Sequence, residues 1–322
     1  MTSTAPSRPA ISDYLSWKFL PMVALTALIL YMLVGHLADI DEFRAALAEA
    51  RWKWFSASIA LMVVTFILQG LRFQIVLKAA GHALKLRKLL AVLLTVWPFI
   101  LIAPARINDL LRALKLRREV PPSTCLGSVV AERFIDVQTL CVLGMIGCAW
   151  LGIWQWLAVL FGLWLAAWTV VIAAVINIDR LVSLPLLNRL EDKLRAFLDA
   201  FAALRKKPRH LTALVGVSTL VWLGSMANLA ILLWIFDAAI SANIILALWP
   251  LALFAGMIPM TVGGMGARDG AFLGLVVWAT DWSGTESAVL AATFGYGLVL
   301  VILPGIIGIP LMLRWMFAGG DR

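Results

Sequence analysis

Long runs of apolar residues dominate the chain, and their lengths predict helices that cross a membrane. A helix that spans the hydrocarbon core needs about 20 predominantly apolar residues. Six segments meet this requirement: residues 18–37, 54–77, 124–151, 154–178, 210–236 and 286–314. The first run is too long for the apolar part of a signal peptide, and no small-residue cleavage site follows it. We therefore expect it to be a true span.

Two further apolar stretches are interrupted by proline, at residues 89–104 and 243–262. Each contains a Trp-Pro pair and a second proline, namely Trp97, Pro98 and Pro104 in the first and Trp249, Pro250 and Pro259 in the second. Proline removes a backbone donor and breaks a helix. Irregular backbone at membrane depth is tolerated only where it is buried in protein or lines a wet cavity. These stretches therefore predict two broken or re-entrant hairpins.

The pattern predicts an all-α integral membrane protein with about six full spans and two re-entrant or broken helical hairpins, in a single transmembrane domain over residues 1–322. Each half of the chain, residues 18–151 and residues 154–314, is predicted to contain two spans, then a hairpin, then a third span. The two halves start on opposite sides of the membrane. Inverted repeats with interrupted helices near the midplane are common in transporters. The alternative is chance placement of proline in two hydrophobic hairpins.

Composition agrees with a bilayer environment. The chain is 62% hydrophobic and 14% charged, whereas soluble domains contain about 45–50% apolar and about 25% charged residues. A soluble core cannot accommodate this excess, and a bilayer can. The three cysteines, Cys125, Cys141 and Cys148, lack metal-ligand spacing, and we interpret them as reduced, small hydrophobic residues.

Lysine and arginine are concentrated in residues 72–118 and 180–209, and the other connections carry fewer of them. We interpret the basic residues of both regions, Arg72 included but Arg106 and Arg112 excepted, as loop cations. Cytoplasmic loops are enriched in Lys and Arg, so we expect both termini on the cytoplasmic side of a bacterial inner membrane. The formal charge of +9 then indicates anionic lipids at the cytoplasmic face, and nucleic acid is not an expected partner.

Residues 179–209 form the one long polar stretch, with leucine and phenylalanine recurring at three- and four-residue spacing between charged residues. This pattern predicts an amphipathic helix that lies in the cytoplasmic interface. It is open whether the segment only connects two spans or senses a specific lipid.

The first charged cluster lies in residues 104–112, where a proline ends the hairpin and polar residues open a new helix. Arg106 and Arg112 place two cations there, and either Asn108 or Asp109 could cap the helix. A helix N-terminus already favours anions, and guanidinium binds phosphate through two parallel hydrogen bonds. Either this is a site for a phosphate headgroup, or the arginines extend to the interface beside a capped helix.

The second charged cluster, Glu132, Arg133 and Asp136, lies about two turns into a predicted span. The two carboxylates are four residues apart and share one helix face. Two interpretations remain: a structural ion-pair network, within the cluster or with Arg106 and Arg112, or a carboxylate that couples protons to transport.

The third cluster follows the second hairpin and contains Gly263, Gly264, Gly266, Arg268 and Asp269. Glycines let backbone N–H groups approach a ligand closely. Arg268 is the only Lys or Arg between positions 209 and 314, and an arginine isolated in so apolar a region needs a carboxylate partner or an anionic ligand.

Several chemistries have no sequence signature. There is no nucleotide-binding P-loop, no His–Cys metal set and no Ser–His–Asp arrangement, so we predict no cofactor and no metal. No stretch outside the spans is long enough for a separate catalytic domain.

At its charged motifs the chain resembles the lysylphosphatidylglycerol synthase transmembrane-region family. Residues 104–112 resemble that family's Pro-x-Arg-x-Gly-Glu-x-x-Arg segment, residues 130–136 match Val-x-Glu-Arg-x-x-Asp, and residues 263–269 resemble Gly-Gly-x-Gly-x-Arg-Glu. Two carboxylates are one methylene shorter here, at Asp109 and Asp269, which bears on the partners they reach. The chain resembles the membrane part alone, because nothing corresponds to the aminoacyl-transferase domain.

The resemblance implies movement of a lipid between leaflets, with aminoacylated phospholipids, polyprenyl-linked sugars or hopanoid-type lipids as possible substrates. The leading hypothesis is therefore a flippase, not an enzyme, in which Arg106, Arg112 and Arg268 attract an anionic headgroup. The carboxylates hold these arginines when the site is empty. Alternatives are an intramembrane lipid-modifying enzyme with Glu132 or Asp136 as general base, and a non-catalytic partner of a separate lipid synthase.

Overall fold

A computed structural model describes most of the chain: residues 40–102, 107–182, 191–257, 261–280 and 284–317, with Ala24, Leu28, Tyr31 and Trp282 as single positions. Every regular element in this part is helical, and it contains no strand. The predicted span at residues 18–37 lies outside it, apart from three single helical positions.

Five described helices are long and apolar enough to cross a membrane: Trp52–Ala79, Pro122–Leu151, Trp154–Ala173, Pro208–Ile235 and Glu286–Phe317. They coincide with five of the six predicted spans. The protein is therefore a multi-pass, all-α membrane protein, as the apolar pattern predicted.

The helices are numbered in chain order. They are α1 (Ile40–Glu49), α2 (Phe55–Ala79), α3 (Leu86–Val96), α4 (Phe99–Ile102), α5 (Ile107–Leu116), α6 (Pro122–Leu151), α7 (Trp154–Val182), α8 (Glu191–Lys206), α9 (Pro208–Ile235), α10 (Ala242–Gly256), α11 (Ala267–Ala279), α12 (Glu286–Gly297) and α13 (Leu303–Phe317). A π-helical turn, Leu298–Ile302, joins α12 to α13. We call α3 to α5 the first hairpin, α10 and α11 the second hairpin, and α12 to α13 the last span.

The two proline-containing stretches break at different places. In the first hairpin, α3 ends at Val96, directly before the Trp-Pro pair. In the second, α10 continues through Pro250 to Gly256, and the break falls in the glycine-rich segment. Packing explains why Pro250 is tolerated: Gly147 of α6 lets the backbone of α10 approach so closely that a Cβ there would collide with Ala247. The hydrogen bond lost at the proline is offset by this close contact.

Helices α2 and α9 pack against each other along their length. Ser58 Oγ donates to Asn228 Oδ1 at 2.9 Å, and Asn228 Nδ2 donates to the Ser58 carbonyl at 2.8 Å. Both residues are fully buried. Gly224 of α9 faces Thr65 of α2, leaving no room for a side chain. Small residues and reciprocal polar pairs are typical of helix contacts inside membranes.

Each hairpin packs against the final span of the other half of the chain. The second hairpin lies on α6, and the first lies on α13, where Gly308 would collide with the Leu94 carbonyl if it carried a Cβ. The two tips also meet, since Ile100 Cγ2 lies 3.6 Å from where a Cβ of Gly263 would stand. The interrupted segments therefore come together inside the bundle.

The predicted amphipathic segment, residues 179–209, contributes the end of α7 and all of α8, while residues 183–190 lie outside the described part. Helix α8 packs against α6, with the rings of Phe134 and Phe201 5.8 Å apart and perpendicular. Next to α8, Lys207 Nζ donates to the Ala79 carbonyl at the end of α2, at 2.9 Å. The segment is thus attached to the bundle, as a connecting helix would be.

Candidate functional site

Helix α6 carries the sequence cluster Glu132, Arg133 and Asp136 into the interior of the bundle. Pro122 stands in its first turn, where proline loses no helical hydrogen bond. Gly152 ends it in the left-handed conformation, with φ 71°, as C-terminal glycines commonly do. These signals produce a 30-residue helix whose charged turn is far from either end.

Arg72 of α2 lies between the two carboxylates of α6. Its Nε donates to Glu132 Oε1 at 2.8 Å, and its Nη1 pairs with Asp136 Oδ1. All three side chains are at most 2% exposed. The interpretation of Arg72 as a loop cation was therefore wrong. Its position inside the predicted span 54–77 was the available signal, because an arginine at that depth requires an anionic partner.

The remaining ion pairs lie within α5, within α6 or between the two, and so connect the first hairpin to α6. Arg133 reaches Asp136 Oδ2 at 3.1 Å and Asp109 Oδ1 at 3.3 Å. Arg112 lies 3.5 Å from Asp109 Oδ1 and 3.6 Å from Glu132 Oε2. We call the six residues the first charged centre: Arg72, Asp109, Arg112, Glu132, Arg133 and Asp136. Among the described residues it holds three arginines and three carboxylates, so the formal charges of these six side chains cancel.

Arg112 is the least satisfied member of this centre. It is 2% exposed, yet its Nε and Nη1 have no hydrogen-bond partner in the described part of the chain, and the same holds for Glu132 Oε2. The 3.6 Å separation of Arg112 Nη1 and Glu132 Oε2 exceeds hydrogen-bond length. Buried polar atoms without partners are costly. A polar ligand group bound at Arg112 would remove that cost.

The second charged centre consists of Arg268, Asp269, Trp249 and Tyr296. Arg268 donates to Asp269 Oδ1 from Nε at 2.9 Å and from Nη2 at 2.7 Å. Its guanidinium lies 4.7 Å from the ring centroid of Tyr296 and 5.4 Å from that of Trp249. Arg268 and Asp269 are buried. The isolated arginine thus has the carboxylate partner its sequence position requires, and two aromatic faces stabilise its charge.

The glycines before Arg268 shape this centre through the backbone. Gly263, Gly264 and Gly266 have φ values of 59°, 77° and 85°, which side chains disfavour. A Cβ on Gly264 would also lie 2.7 Å from the Gly256 carbonyl. The Gly266 N–H donates to Asp269 Oδ2 at 2.9 Å, so the Asp269 carboxylate caps the start of α11 and is held in place by this bond.

Helix α9 connects the two centres through two residues three positions apart. Trp222 Nε1 donates to Asp136 Oδ1 at 3.0 Å. Ser225 Oγ lies 2.7 Å from the Tyr296 hydroxyl and accepts a 3.4 Å hydrogen bond from Trp249 Nε1. Residues three apart on a helix differ in height by only about 4.5 Å. Trp222 and Ser225 lie near the middle of the 28-residue helix, so both centres adjoin the middle of a span.

Three contributors escaped the sequence analysis besides Arg72, namely Trp222, Ser225 and Tyr296. Trp222 and Ser225 lie in an apolar helix, where a tryptophan or a serine carries no distinguishing pattern. Of the predicted residues, the first centre brings together Asp109, Arg112, Glu132, Arg133 and Asp136, and the second contains Arg268 and Asp269 next to the three glycines. Arg106 lies outside the described residues. Within the described ranges, no group of His, Cys, Asp and Glu is arranged to hold a metal ion.

An apolar groove runs along the second hairpin. It has a volume of about 420 Å³ and is lined by Leu251 and Ala255 of α10, by Ala271, Gly274, Leu275 and Trp278 of α11, and by Trp156. A Cβ on Gly274 would meet nothing within 4 Å. Ala271 is one turn from Arg268, so the groove begins beside the second charged centre.

Fold and site together define a multi-pass helical membrane protein in which two interrupted hairpins enclose buried ion pairs. The chain belongs to the family of the lysylphosphatidylglycerol synthase TM region, whose sequence model matches residues 20–308. This confirms the resemblance seen in the three motifs.

Part of the chain is also similar in sequence to glycosyltransferase AglD of Haloferax volcanii, with 28% identity over 136 residues. The match covers 42% of this chain and 20% of that protein, so the chain spans only about a fifth of the relative's length. The family indicates a function related to membrane lipids.

Proposed function

We propose that the protein is a lipid transporter that moves a lipid with an anionic headgroup between the leaflets of a bacterial inner membrane. The observation that carries the proposal is the burial of two charged centres beside the middle of α9, to each of which one interrupted hairpin contributes charged residues. Ionisable groups at membrane depth are expensive, and they mark substrate and ion pathways. A purely structural core would be built more cheaply from apolar residues.

Headgroup binding at the first centre is an exchange of anions. In the empty site the arginines are balanced by Asp109, Glu132 and Asp136. An anionic headgroup would take up the unused donors Nε and Nη1 of Arg112, and guanidinium is suited to two parallel bonds to phosphate or carboxylate. The Arg133 side chain is 29% exposed, so an incoming headgroup would meet it before the buried Arg112.

The packing of the two halves supports transport by alternating access. Helices α2 and α9, which are the second spans of the predicted halves, pack on each other, and each hairpin packs on the final span of the other half. A pseudo-two-fold axis would produce this exchange, and inverted repeats commonly carry transport sites at their interface. The excess of Lys and Arg in the connections before α6 and before α9 favours cytoplasmic termini.

The groove on the second hairpin supports a lipid cargo. A headgroup in a charged interior leaves hydrocarbon chains that must stay in an apolar environment. The groove of about 420 Å³ beside Arg268 offers such a surface. With no nucleotide-binding motif in the sequence, transport would be passive or coupled to an ion.

A fluorescent-lipid assay in proteoliposomes tests the proposal. Outward-facing label is quenched chemically, and the rate at which protected label becomes accessible reports transport. We expect Arg112→Gln to slow a phosphate-bearing lipid at least tenfold. Arg117→Gln is the matched control, because Arg117 is exposed in the same region. Equal rates for wild type and Arg112→Gln would overturn this assignment of the site.

A second candidate function is covalent modification of a lipid inside the membrane. The match to a glycosyltransferase favours it, as does Glu132 Oε2, a buried carboxylate oxygen without a hydrogen-bond partner in the described part that would suit a general base. Mass spectrometry of lipids from overexpressing and deletion cells distinguishes the two. An enzyme creates a new lipid species, whereas a transporter changes only the sidedness of existing ones.

A further inference from the structure

The last span is not a continuous α-helix. Its α-helical turns stop at Gly297, a π-helical turn occupies Leu298–Ile302, and α-helix resumes at Leu303. Pro304 explains the position of the wider turn, because a proline ring collides with the carbonyl four residues earlier, here that of Leu300. π-Helical turns inside α-helices are rare and often lie at functional sites, and helices bend at them.

The two halves of the last span pack on different hairpins. Before the π turn, α12 lies on the second hairpin, and a Cβ on Gly297 would stand 2.9 Å from Met265 Sδ and 3.5 Å from Arg268 Nη2. After the turn, α13 lies on the first hairpin, where a Cβ on Gly305 would stand 2.6 Å from Leu101 Cδ1. Each half is thus fitted tightly to one hairpin.

The π turn itself lies where the two hairpin tips meet. Val301 Cγ1 is 2.7 Å from where a Cβ of Gly263 would stand. The carbonyl of Val301 accepts a 3.2 Å hydrogen bond from Trp97 Nε1. Trp97 is the residue at which the first hairpin breaks, and its ring packs edge-on against Phe66 with centroids 5.4 Å apart. The interruptions of the first hairpin, the second hairpin and the last span are therefore in direct contact.

We propose that the π turn Leu298–Ile302 is the joint at which the last span bends as the two hairpins move relative to each other, and that Trp97 is a positioning residue that holds the joint in the arrangement seen here. This inference rests on the proposed transport function. Each half of the last span moves with the hairpin to which it is fitted, so the change of angle is concentrated in the one turn with π geometry.

The geometry of a π turn provides a specific variant. A π turn contains one residue more than the α-helical path needs, so removing one residue keeps the flanking faces aligned. We call the combination of a Leu298 deletion with Pro304→Ala the straightened variant. Leu298 is 46% exposed, so its deletion removes little packing. Pro310→Ala is the matched control, because Pro310 lies inside α13 away from the joint.

Distances between the hairpins provide the readout, by double electron–electron resonance in lipid nanodiscs. Spin labels are placed at Ala91 and Val277, exposed positions on the first and second hairpins. The three native cysteines, which are free and buried, are replaced by alanine. We expect two distance populations in the wild type and in Pro310→Ala, and one population in the straightened variant.

Trp97→Phe tests the positioning role. The substitution keeps an aromatic ring against Phe66 and removes the N–H that donates to the Val301 carbonyl, together with part of the indole ring. We expect the ratio of the two populations to change about fivefold, as loss of one neutral hydrogen bond implies. A purely structural role for Trp97 would lower the melting temperature and leave the ratio unchanged, and that result would overturn the assignment.

Further outcomes are equally decisive. The joint is disproved if the wild type shows a single population, or if the straightened variant keeps both. If the straightened variant does not fold, Trp97→Phe alone decides. If the wild type transports no lipid, but the straightened variant and Trp97→Phe change the distances as expected, the proposed transport function is wrong and the assignment of the joint is still supported.

Discussion

Trp222 Nε1 donates a 3.0 Å hydrogen bond to Asp136 Oδ1, the same oxygen that pairs with Arg72. This bond links α9 to the first charged centre, while Ser225, one turn further on, contacts the second. The state of one centre therefore bears directly on the helix that supports the other.

Trp222→Phe removes this link and keeps most of the ring. Because hydrogen bonds to charged groups contribute about 1.5–3 kcal/mol, we expect the free energy of unfolding to fall by about that amount. Thermal unfolding in detergent measures the change. Trp278→Phe is the control, since Trp278 is 63% exposed, and a larger loss in the control than in Trp222→Phe would contradict the prediction.

Arg72→Gln leaves two buried carboxylates without their shared cation. Removal of one partner from a buried ion pair costs about 3–5 kcal/mol, so we expect strong destabilisation or loss of expression. Adding Asp136→Asn should restore part of the stability, because it removes one of the unbalanced charges. Lys85→Gln, an exposed basic residue, should have no measurable effect. Failure of the second substitution to rescue any stability would argue against the pairing.

Gly264→Ala tests the conformation of the loop before Arg268. The φ of 77° is strained for alanine, and the new Cβ would lie 2.7 Å from the Gly256 carbonyl. Strain of this kind costs about 1–3 kcal/mol, and transport should fall with stability. Gly216→Ala is the control, because its Cβ meets nothing within 4 Å and alanine favours helix by about 1 kcal/mol. Equal melting temperatures for the two variants would refute the prediction.

Gly274→Phe tests the apolar groove without disturbing the protein core. The new side chain enters open space, so stability should be kept while the groove is filled. We expect transport of a long-chain lipid to fall at least fivefold and that of a short-chain analogue to change less. Gly162→Phe, also in open space on α7, should leave both rates unchanged. A uniform effect on both chain lengths would show that the groove does not hold the chain.

Much of this architecture follows from local patterns in the sequence. Apolar run length placed five described spans, and the spacing of Glu132 and Asp136 predicted their shared face. What the sequence did not reveal depends on distant contacts. Arg72 was grouped with loop cations because many lysines and arginines follow it, although it lies inside the predicted span 54–77. Pro250 suggested a break, but packing against Gly147 keeps the helix intact.

The partners of Asp109 and Asp269 also show which contacts a local sequence pattern can predict and which it cannot. Asp269 reaches its neighbour Arg268 and the amide of Gly266, contacts that short sequence separation favours. Asp109 reaches Arg133 on another helix at 3.3 Å, which no local pattern indicates. Nothing in the sequence of residues 208–235 distinguished Trp222 from the other apolar residues. Its role is visible only in the structure, where its indole N–H lies opposite the Asp136 carboxylate.

The cancellation of formal charge among the six residues of the first charged centre has a consequence for energetics across a polarised membrane. A neutral site experiences no net force from the transmembrane potential, whereas the same site holding an anionic headgroup carries that headgroup's charge. Moving one elementary charge through 100 mV is worth about 2.3 kcal/mol. Under the proposed function, the membrane potential would therefore act on the transporter with a bound headgroup and would not act on the empty transporter. The membrane potential alone would then favour transport of the anionic lipid in one direction.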